Sequence, residues 1–285
     1  MHDRDCEMGI EDYQAVFRKL DGIVERVDSF KEDPQFTEEF NLRNSRLPDS
    51  SWGDPEYLRE FATLISYSQN ARSDAVSEMI DTGVLEEAFD GFEVRNVAAA
   101  SPEKIIDTYW EKLTPVRFKR KIYKIVWCAT GIETLMYMNT PVNKTMQSVP
   151  SRINSNQDIE TFWEKIHELR DRMISVKMPF FSRWTSLLHL LSHTGYDCIK
   201  PDSAVMRTAS EELKIVQPSK TKSGYYPESD KLEVVRTVQR YSVEKKLRPP
   251  VLDLYLLIEG GQLWAKRFVK PSFESLKSVR EQATV

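Results

Sequence analysis

Apolar residues recur at helical spacing along most of the chain, and this pattern predicts an all-α protein. In 11–30 the apolar side chains follow i, i+3, i+4 and i+7 spacing, and a similar stripe runs through 157–175. The segment 184–195 is apolar at most positions and predicts a buried helix. Neither an alternating strand pattern nor an internal repeat is evident in the sequence.

Capping residues followed by proline mark further helix starts. Asp54 before Pro55 and Ser101 before Pro102 have this form, and Pro115 predicts another start. Other helices are expected at 73–82, 202–214, 229–246 and 250–266, whereas 31–54 and 139–156 are polar and predict loops.

Length and composition narrow the class of protein. The chain has 285 residues, enough for one large domain or two small ones, and no apolar stretch is long enough for a membrane span. Its acidic, polar start is unlike a secretory signal peptide. Cys6, Cys128 and Cys198 are too few for a disulfide framework or a four-cysteine metal cluster, which favours a reduced, cytosolic setting.

Charge is unevenly distributed. The formal net charge of −4 argues mildly against nucleic-acid binding. The segment 112–124 nevertheless carries six basic residues and no acidic one: Lys112, Arg117, Lys119, Arg120, Lys121 and Lys124. Such a run is usually a solvated helix face. The alternative is an exposed ridge that contacts phosphates.

The stretch Met178 to Arg207 carries the most informative chemistry. It predicts a tight turn, an apolar helix, a loop and then Asp202 directly before another helix. Asp202 can serve simply as the cap of that helix. Alternatively, its carboxylate stands at a helix N-terminus and faces a groove.

This stretch resembles the core of the helix-hairpin-helix DNA glycosylase superfamily, which includes endonuclease III and 3-methyladenine DNA glycosylase II. Residues 178–185 (MPFFSRWT) take the register of the hairpin, and 199–207 (IKPDSAVMR) take that of the aspartate motif. Weaker similarities follow the same order at 64–69, 118–122 and 252–261. The resemblance covers about residues 55–266.

Departures from the family pattern limit what the resemblance implies. Phe180 and Ser182 replace the two hairpin glycines, whose backbone N–H groups approach a phosphate in the family. Trp184 stands where bifunctional members carry a catalytic lysine, so no Schiff base and no lyase activity are expected. The family's iron–sulfur cysteines are absent, since no cysteine follows Cys198.

The resemblance implies a monofunctional DNA glycosylase of base excision repair that acts on alkylated purines such as 3-methyladenine. Asp202 would stabilise the oxocarbenium-like state. A flipped, cationic base would enter a pocket of Trp184, Tyr67 and Trp52. Contacts with DNA would come from the following residues: Gln69, Asn70, Arg117, Arg120, Lys121, Lys124, Ser182, Arg183 and Thr185. Core packing is the alternative role for the three aromatic residues.

The implied architecture has two lobes. A six-helix barrel lobe would span 55–195, and 1–54 with 196–285 would form a discontinuous second lobe. The expected partner of this monomer is double-stranded DNA with a damaged base, without cofactor, metal or membrane, in the cytoplasm of a prokaryote or the nucleus of a eukaryote. Alternatives are a glycosylase for uracil or a mismatched base, a catalytically inactive DNA-binding relative, and an unrelated helical bundle.

Overall fold

A computed structural model describes residues 10–69, 71–219 and 225–260, with side chains from residue 12 onward. The secondary structure of these residues is entirely helical, without a strand, which confirms the all-α prediction. Among them, no helix combines the length and the apolar character that a membrane crossing requires.

The chain divides into two compact units. The first unit contains the described residues of Met1–Leu47, Ser151–Ile159 and Leu191–Val285, and the second contains Pro48–Pro150 and Glu160–Leu190. The division falls within two helices, Asn156–Ser175 and Trp184–Thr194. The sequence analysis predicts one lobe of 1–54 with 196–285 and a second lobe of 55–195. That these lobes act as functional parts stays a prediction.

The first unit is built around one fully buried helix. Its helices are α1 (Ile10–Asp28), α2 (Pro34–Ser45), α12 (Ser203–Glu211), α13 (Glu228–Lys245) and α14 (Pro249–Glu259). Every residue of α14 is buried, and α1, α2, α12 and α13 pack around it. A helix that is apolar on nearly all sides is stable only when it is enclosed in this way.

The second unit has α8 at its centre. Its helices are α3 (Asp54–Tyr67), α4 (Ser73–Asp81), α5 (Val84–Ala88), α6 (Val94–Ala99), α7 (Pro102–Leu113), α8 (Arg120–Tyr137), α9 (Val142–Gln147), and parts of α10 (Asn156–Ser175) and α11 (Trp184–Thr194). Short 3₁₀ turns lie at Asp90–Phe92 and Thr114–Val116. The apolar stripe of α8, which includes Ile122, Ile125 and Ile132, is buried against α3 and α6.

Two segments predicted as loops contain helices. The segment 31–54 includes α2, whose first turn is capped by the Asp33 carboxylate, an acceptor for the backbone N–H groups of Gln35 and Phe36. The segment 139–156 includes α9. Asp33 and Pro34 form the same capping pair that marks α7, so the signal for α2 was present in the sequence.

Two predicted helix starts are displaced. The chain at Pro115 forms the 3₁₀ turn, and Arg117 then adopts a left-handed conformation with φ 77°, so α8 begins only at Arg120. Asp54 does not cap its own helix: Gly53 occupies the N-cap, and the buried Asp54 carboxylate accepts from Asn143 N in α9 at 3.0 Å. Burial raises the pKa of Asp54 above its usual value.

Candidate nucleic-acid interface and carboxylate site

The turn between α10 and α11 is formed by a helix C-cap. Lys177 has φ 53° and its N–H donates to Ile174 O at 2.9 Å, while Met178 N–H reaches back to Met173 O at 2.8 Å. These paired bonds define a Schellman motif. Met178 is buried, and its side chain lies so close to Gly131 of α8 that a Cβ there would meet Met178 Cε at 3.0 Å. The turn is therefore fixed against α8.

Phe180 and Phe181 have different roles in this turn. Phe180 has φ 70°, and Phe181 N–H donates to Pro179 O at 2.8 Å across it, as in a tight γ-turn. Phe181 is buried and stacks on Phe61 with ring centroids 4.2 Å apart. Phe180 is only half-buried. A phenylalanine thus keeps a backbone conformation that glycine adopts without strain, at one of the two positions where the family pattern has glycine.

Cationic side chains of α8 and the turn meet around Phe180. Lys124 Nζ lies 5.9 Å from the Phe180 ring centroid. Partial burial lowers the pKa of Lys124 below its usual value, and the like charges of Arg120 and Arg183 lower it further. Among the described residues, no carboxylate forms an ion pair with Lys124, Arg120, Arg183 or Lys177. We call these four residues the hairpin cations.

A groove opens beside the hairpin cations. It has a volume of about 310 Å³, and its lining includes Lys124, Lys177, Phe180, Ser182 and Arg183. The Ser182 carbonyl accepts a bond of 2.9 Å from Arg170 Nε, which fixes the end of the turn. Lys177 was missed by the sequence analysis, although it lies directly before the predicted hairpin.

Lys121 was predicted to contact DNA from an exposed ridge, and this prediction is wrong. Its side chain is fully buried, and its ammonium donates to Ser66 O at 2.9 Å and to Ser68 O at 2.6 Å. These carbonyls end α3, where a cation satisfies acceptors that have no intrahelical partner. Burial, together with the like charges of Lys124, Arg117 and Arg120, lowers the pKa of Lys121 to about 8.

Of the other basic residues of the run, four are exposed and Lys124 is half-buried; the exposed ones are Lys112, Arg117, Lys119 and Arg120. The Arg117 guanidinium lies 5.0 Å from the Phe118 ring centroid, and that of Arg120 lies 4.8 Å from it. Arg120 also donates to Gln69 Oε1 at 3.1 Å, so the predicted DNA contacts Gln69 and Arg120 adjoin each other. Asn70 lies outside the described residues.

Trp184 is part of the core of the second unit. It is 3% exposed, its ring centroid lies 4.7 Å from that of His167 and 6.0 Å from that of Trp163, and the Arg170 guanidinium covers it at 4.7 Å. Its predicted place in a base pocket is not realised in this conformation, because core side chains and a cation surround the ring. Thr185, the next predicted DNA contact, is half-buried at the start of α11.

The remaining pocket candidates have packing roles. The Tyr67 hydroxyl shares a 2.8 Å hydrogen bond with the Ser77 hydroxyl. Trp52 packs edge-on against Tyr57 at 5.5 Å. Both side chains are half-buried, so neither presents a fully exposed ring.

Asp202 lies in the first unit and caps α12, as one of its two predicted roles requires. Its Oδ1 accepts from Ala204 N at 3.0 Å and Val205 N at 3.3 Å, and its Oδ2 lies 3.6 Å from Lys200 Nζ. The side chain is 28% exposed. One oxygen is thus committed to the helix, and the other is shared between an ammonium and solvent.

A second carboxylate lies beneath Asp202. Asp253 of α14 is buried, accepts from Lys200 N at 3.1 Å and pairs with Arg43 at 2.8 Å. Burial raises the pKa of Asp253 above its usual value and the charge of Asp202 adds to the increase, whereas Arg43 opposes it. Lys200 thus contacts both carboxylates, with its backbone N–H on Asp253 and its ammonium near Asp202.

Within the described ranges, no group of three or more histidine, cysteine, aspartate or glutamate side chains is arranged to hold a metal ion. The class that the geometry defines is an all-helical protein with a basic hairpin surface and a helix-capping carboxylate. Comparison with known proteins finds no matching family model, curated protein or solved structure.

Proposed function

We propose that the chain is a monofunctional DNA glycosylase. The second unit would bind duplex DNA through the hairpin cations. Asp202 would assist hydrolysis of the N-glycosidic bond of a damaged base, an alkylated purine such as 3-methyladenine. The observation that carries the proposal is the left-handed turn at Phe180, with Lys124, Arg183 and Lys177 lining the groove beside it.

The charge of this surface supports the proposal of duplex binding. Lys124, Lys177 and Arg183 have no carboxylate partners in the described structure and line one groove, although the whole chain has a net charge of −4. Arg120 lies one helical turn before Lys124 on α8. Cations held without counterions attract phosphates and release their condensed counterions. Contacts of this kind position a duplex without reading its sequence, as a search for damaged bases requires.

The partial exposure of the Asp202 carboxylate supports the proposed chemical step, because a substrate can reach it. In hydrolysis the base leaves with the electron pair of the glycosidic bond, and water supplies the hydroxyl of the abasic sugar while its proton passes to solvent. The positive charge that develops on the sugar is stabilised by a nearby carboxylate. A purine methylated at N3 or N7 is cationic and leaves as a neutral base, so it needs little acid assistance.

The test of the chemical step compares base release from methylated duplex DNA by the parent and by Asp202→Asn. Asparagine caps helices about as well as aspartate, so this variant keeps α12 while it removes the charge. We expect the parent to release alkylated purines and to leave the abasic strand intact. The variant should release them at a rate at least about 100-fold lower than that of the parent.

Other outcomes of this assay contradict parts of the proposal. Equal release by both proteins would exclude Asp202 from the reaction. Strand cleavage by the parent would require an amine, and Lys200, beside Asp202, would be tested by Lys200→Gln. Release of uracil or a mismatched base alone, from a panel of lesion duplexes, would replace the alkylated purine as substrate.

Duplex binding has its own test and matched control. Lys124→Gln should weaken duplex binding and reduce the slope of log affinity against log salt by about 1. Lys104→Gln changes an exposed lysine of α7 and should leave both quantities unaltered. Equal effects of the two variants would mean that binding follows overall charge rather than the hairpin surface.

A second candidate is a DNA-binding relative without catalysis. The enclosure of Trp184 by Trp163, His167 and Arg170 favours it, because the ring expected to form a wall of the base pocket is buried in the core. This candidate predicts salt-sensitive duplex binding that is identical in the parent and Asp202→Asn, with no base released from any lesion of the panel.

A further inference from the structure

A second cavity of the second unit combines an indole ring with cations. It lies where α7 ends and α4 begins, has a volume of about 500 Å³, and is lined by Arg72, Ala75, Trp110, Thr114, Pro115 and Arg117. We call it the Trp110 pocket. Its volume is within the range of small-ligand sites, which is about 300–1,000 Å³.

Cationic side chains surround this pocket. Arg72 and Arg117 line it, and Lys119 Nζ lies 5.4 Å from the Trp110 ring centroid at its rim. Asp74, paired with Arg72 at 2.9 Å, is a nearby carboxylate. Three cationic side chains therefore lie on the lining or the rim of this pocket, where they would attract an anionic ligand.

The local backbone holds this arrangement. The 3₁₀ turn Thr114–Val116 ends at Arg117, whose N–H donates to Thr114 O at 2.9 Å, and Arg117 then takes its left-handed conformation. This reversal directs the chain from the end of α7 to the start of α8, so that Arg117 and Trp110 line the same cavity. A planar aromatic face, two guanidiniums and the Thr114 hydroxyl are the groups that recognise a base and its phosphate.

We infer that the Trp110 pocket binds an unpaired nucleotide of a DNA strand, with the base against Trp110 and the phosphate between Arg72 and Arg117. This site goes beyond the proposed glycosylase activity, since it requires neither Asp202 nor a damaged base. It would give the protein affinity for single-stranded ends or gaps next to the duplex that the hairpin cations bind.

Fluorescence anisotropy of labelled tetrathymidylate at low salt tests this inference on the full chain. Trp110→Leu should weaken binding at least about fivefold, because it removes the stacking surface. Arg72→Gln should weaken binding severalfold and lower the salt slope by about 0.7. The Arg72 side chain is 80% exposed, so this second variant tests the pocket without a risk to folding.

The matched control is Trp127→Leu. Trp127 lies on α8, is 55% exposed and does not line the pocket, so its replacement should leave tetrathymidylate affinity unchanged. The inference is overturned if the parent does not bind tetrathymidylate, if Trp110→Leu and Arg72→Gln bind like the parent, or if Trp127→Leu loses as much affinity. If thymidine 5′-monophosphate bound as tightly as tetrathymidylate, the ligand would be a free nucleotide and not a nucleotide of a strand, which would overturn the inference.

The two proposals fail separately. Lys124→Gln should weaken duplex binding and leave tetrathymidylate binding intact, whereas Trp110→Leu should leave base release from a fully paired duplex intact. Loss of base release in Trp110→Leu with unchanged tetrathymidylate affinity would contradict the assignment of this pocket to an unpaired strand.

Discussion

Each unit of the protein buries one cation at the end of a helix, and the two cations are neutralised differently. In the first unit, Arg248 donates to the carbonyls of Arg43, Asn44 and Arg46 at the end of α2, at 2.8–2.9 Å. It also binds the buried carboxylate of Asp197, through Nε at 2.8 Å and Nη2 at 2.6 Å. Its positive charge is therefore compensated within a few ångströms.

In the second unit, Lys121 ends α3 in the same way but has no such compensation. Its ammonium meets two carbonyls, and within the described part of the chain no carboxylate pairs with it. The charges that act on its pKa are the like charges of Lys124, Arg117 and Arg120, which lower it. The first unit thus uses its buried charges to hold the chain together, whereas in the second unit the cations around Lys121 form a local cluster of positive charge that reaches the surface. That cluster is what an anionic ligand would neutralise.

The largest effect should follow the removal of the compensated cation. Arg248→Met leaves the Asp197 carboxylate buried without its principal partner and removes the donor to three helix-end carbonyls. Loss of one partner of a buried pair costs about 3–5 kcal/mol. We expect a decrease of that size in the free energy of unfolding, measured by urea denaturation.

Arg152→Met is the matched control for this substitution. Arg152 approaches the same carboxylate, but its Nη1 is 3.9 Å from Asp197 Oδ1 and its side chain is 34% exposed. A partly exposed pair at this distance contributes at most about 1 kcal/mol. Equal destabilisation by the two variants would mean that Asp197 depends on summed charge and not on the close contacts of Arg248.

The next effect separates two lysines of α8. Lys121→Met removes the donor to Ser66 O and Ser68 O and should lower stability by about 1–3 kcal/mol. Lys124→Met should change stability by less than about 0.5 kcal/mol, because its ammonium has no carboxylate partner in the described structure and its side chain is only half-buried.

For duplex affinity the order of the two variants should be the reverse of their order for stability. Lys124→Met should weaken binding, whereas folded Lys121→Met should bind nearly as well as the parent, since its ammonium is buried. Denaturation and anisotropy on the same samples provide both readouts. If Lys121→Met lost affinity while it kept its stability, the buried position of this ammonium would not describe the protein in solution.

The sequence predicts the helices that carry their own signals and misses the contacts that join distant segments. Ser101 caps α7 as expected, and α4 ends just before Gly83. By contrast, α2 has a weak apolar pattern because Phe36 is its only buried residue among those described, and this ring packs against Tyr255 of α14 at 6.0 Å. That contact joins segments more than two hundred residues apart, and local periodicity does not contain it.

In the candidate site, too, the local features were predictable and the contacts between distant segments were not. The Asp202 cap is local, spans three residues and was predictable. The burial of Lys121 depends on the carbonyls of Ser66 and Ser68 at the end of α3, more than fifty residues before it. A basic run in the sequence looks the same whether or not one member is buried. Trp184 was assigned to a pocket by register, but its environment is made by Trp163, His167 and Arg170 of α10.

The uncompensated charge of Lys121 should also appear in the pH dependence of stability. Its pKa is about 8 in the folded protein, against 10.5 for an ordinary lysine. A lowered pKa means that the unfolded chain binds more protons between these values, so this group stabilises the fold as pH rises and the contribution is lost as pH falls through 8. From pH 7 to pH 9 the gain is about 1 kcal/mol.

Subtraction isolates this contribution from the other titrating groups. The difference in unfolding free energy between the parent and Lys121→Met should grow over this pH interval, whereas that between the parent and Lys124→Met should change less. A Lys121→Met difference that stayed constant, or that shrank as pH rose, would show that the ammonium has an ordinary pKa and therefore a counterion.

The smallest expected effect on stability comes from restoring glycine to the hairpin. Phe180→Gly relieves the left-handed strain at φ 70° but gives up the edge-on contact with Phe181, whose ring centroid is 4.9 Å away, and adds chain entropy to the unfolded state. These terms oppose each other, so the change should stay within about 1 kcal/mol. Phe181→Gly, which removes a buried ring stacked on Phe61, should cost at least about 3 kcal/mol.

The duplex affinity of Phe180→Gly tests whether the cations near the turn bind phosphates. Without the ring, the backbone of the turn and the ammonium of Lys124 are open to a closer approach by a phosphate. Duplex affinity should therefore stay equal or increase, as measured by anisotropy at constant salt. A clear decrease would mean that Phe180 itself contacts the ligand, and the groove would then bind through its aromatic ring as well as through the cations around it.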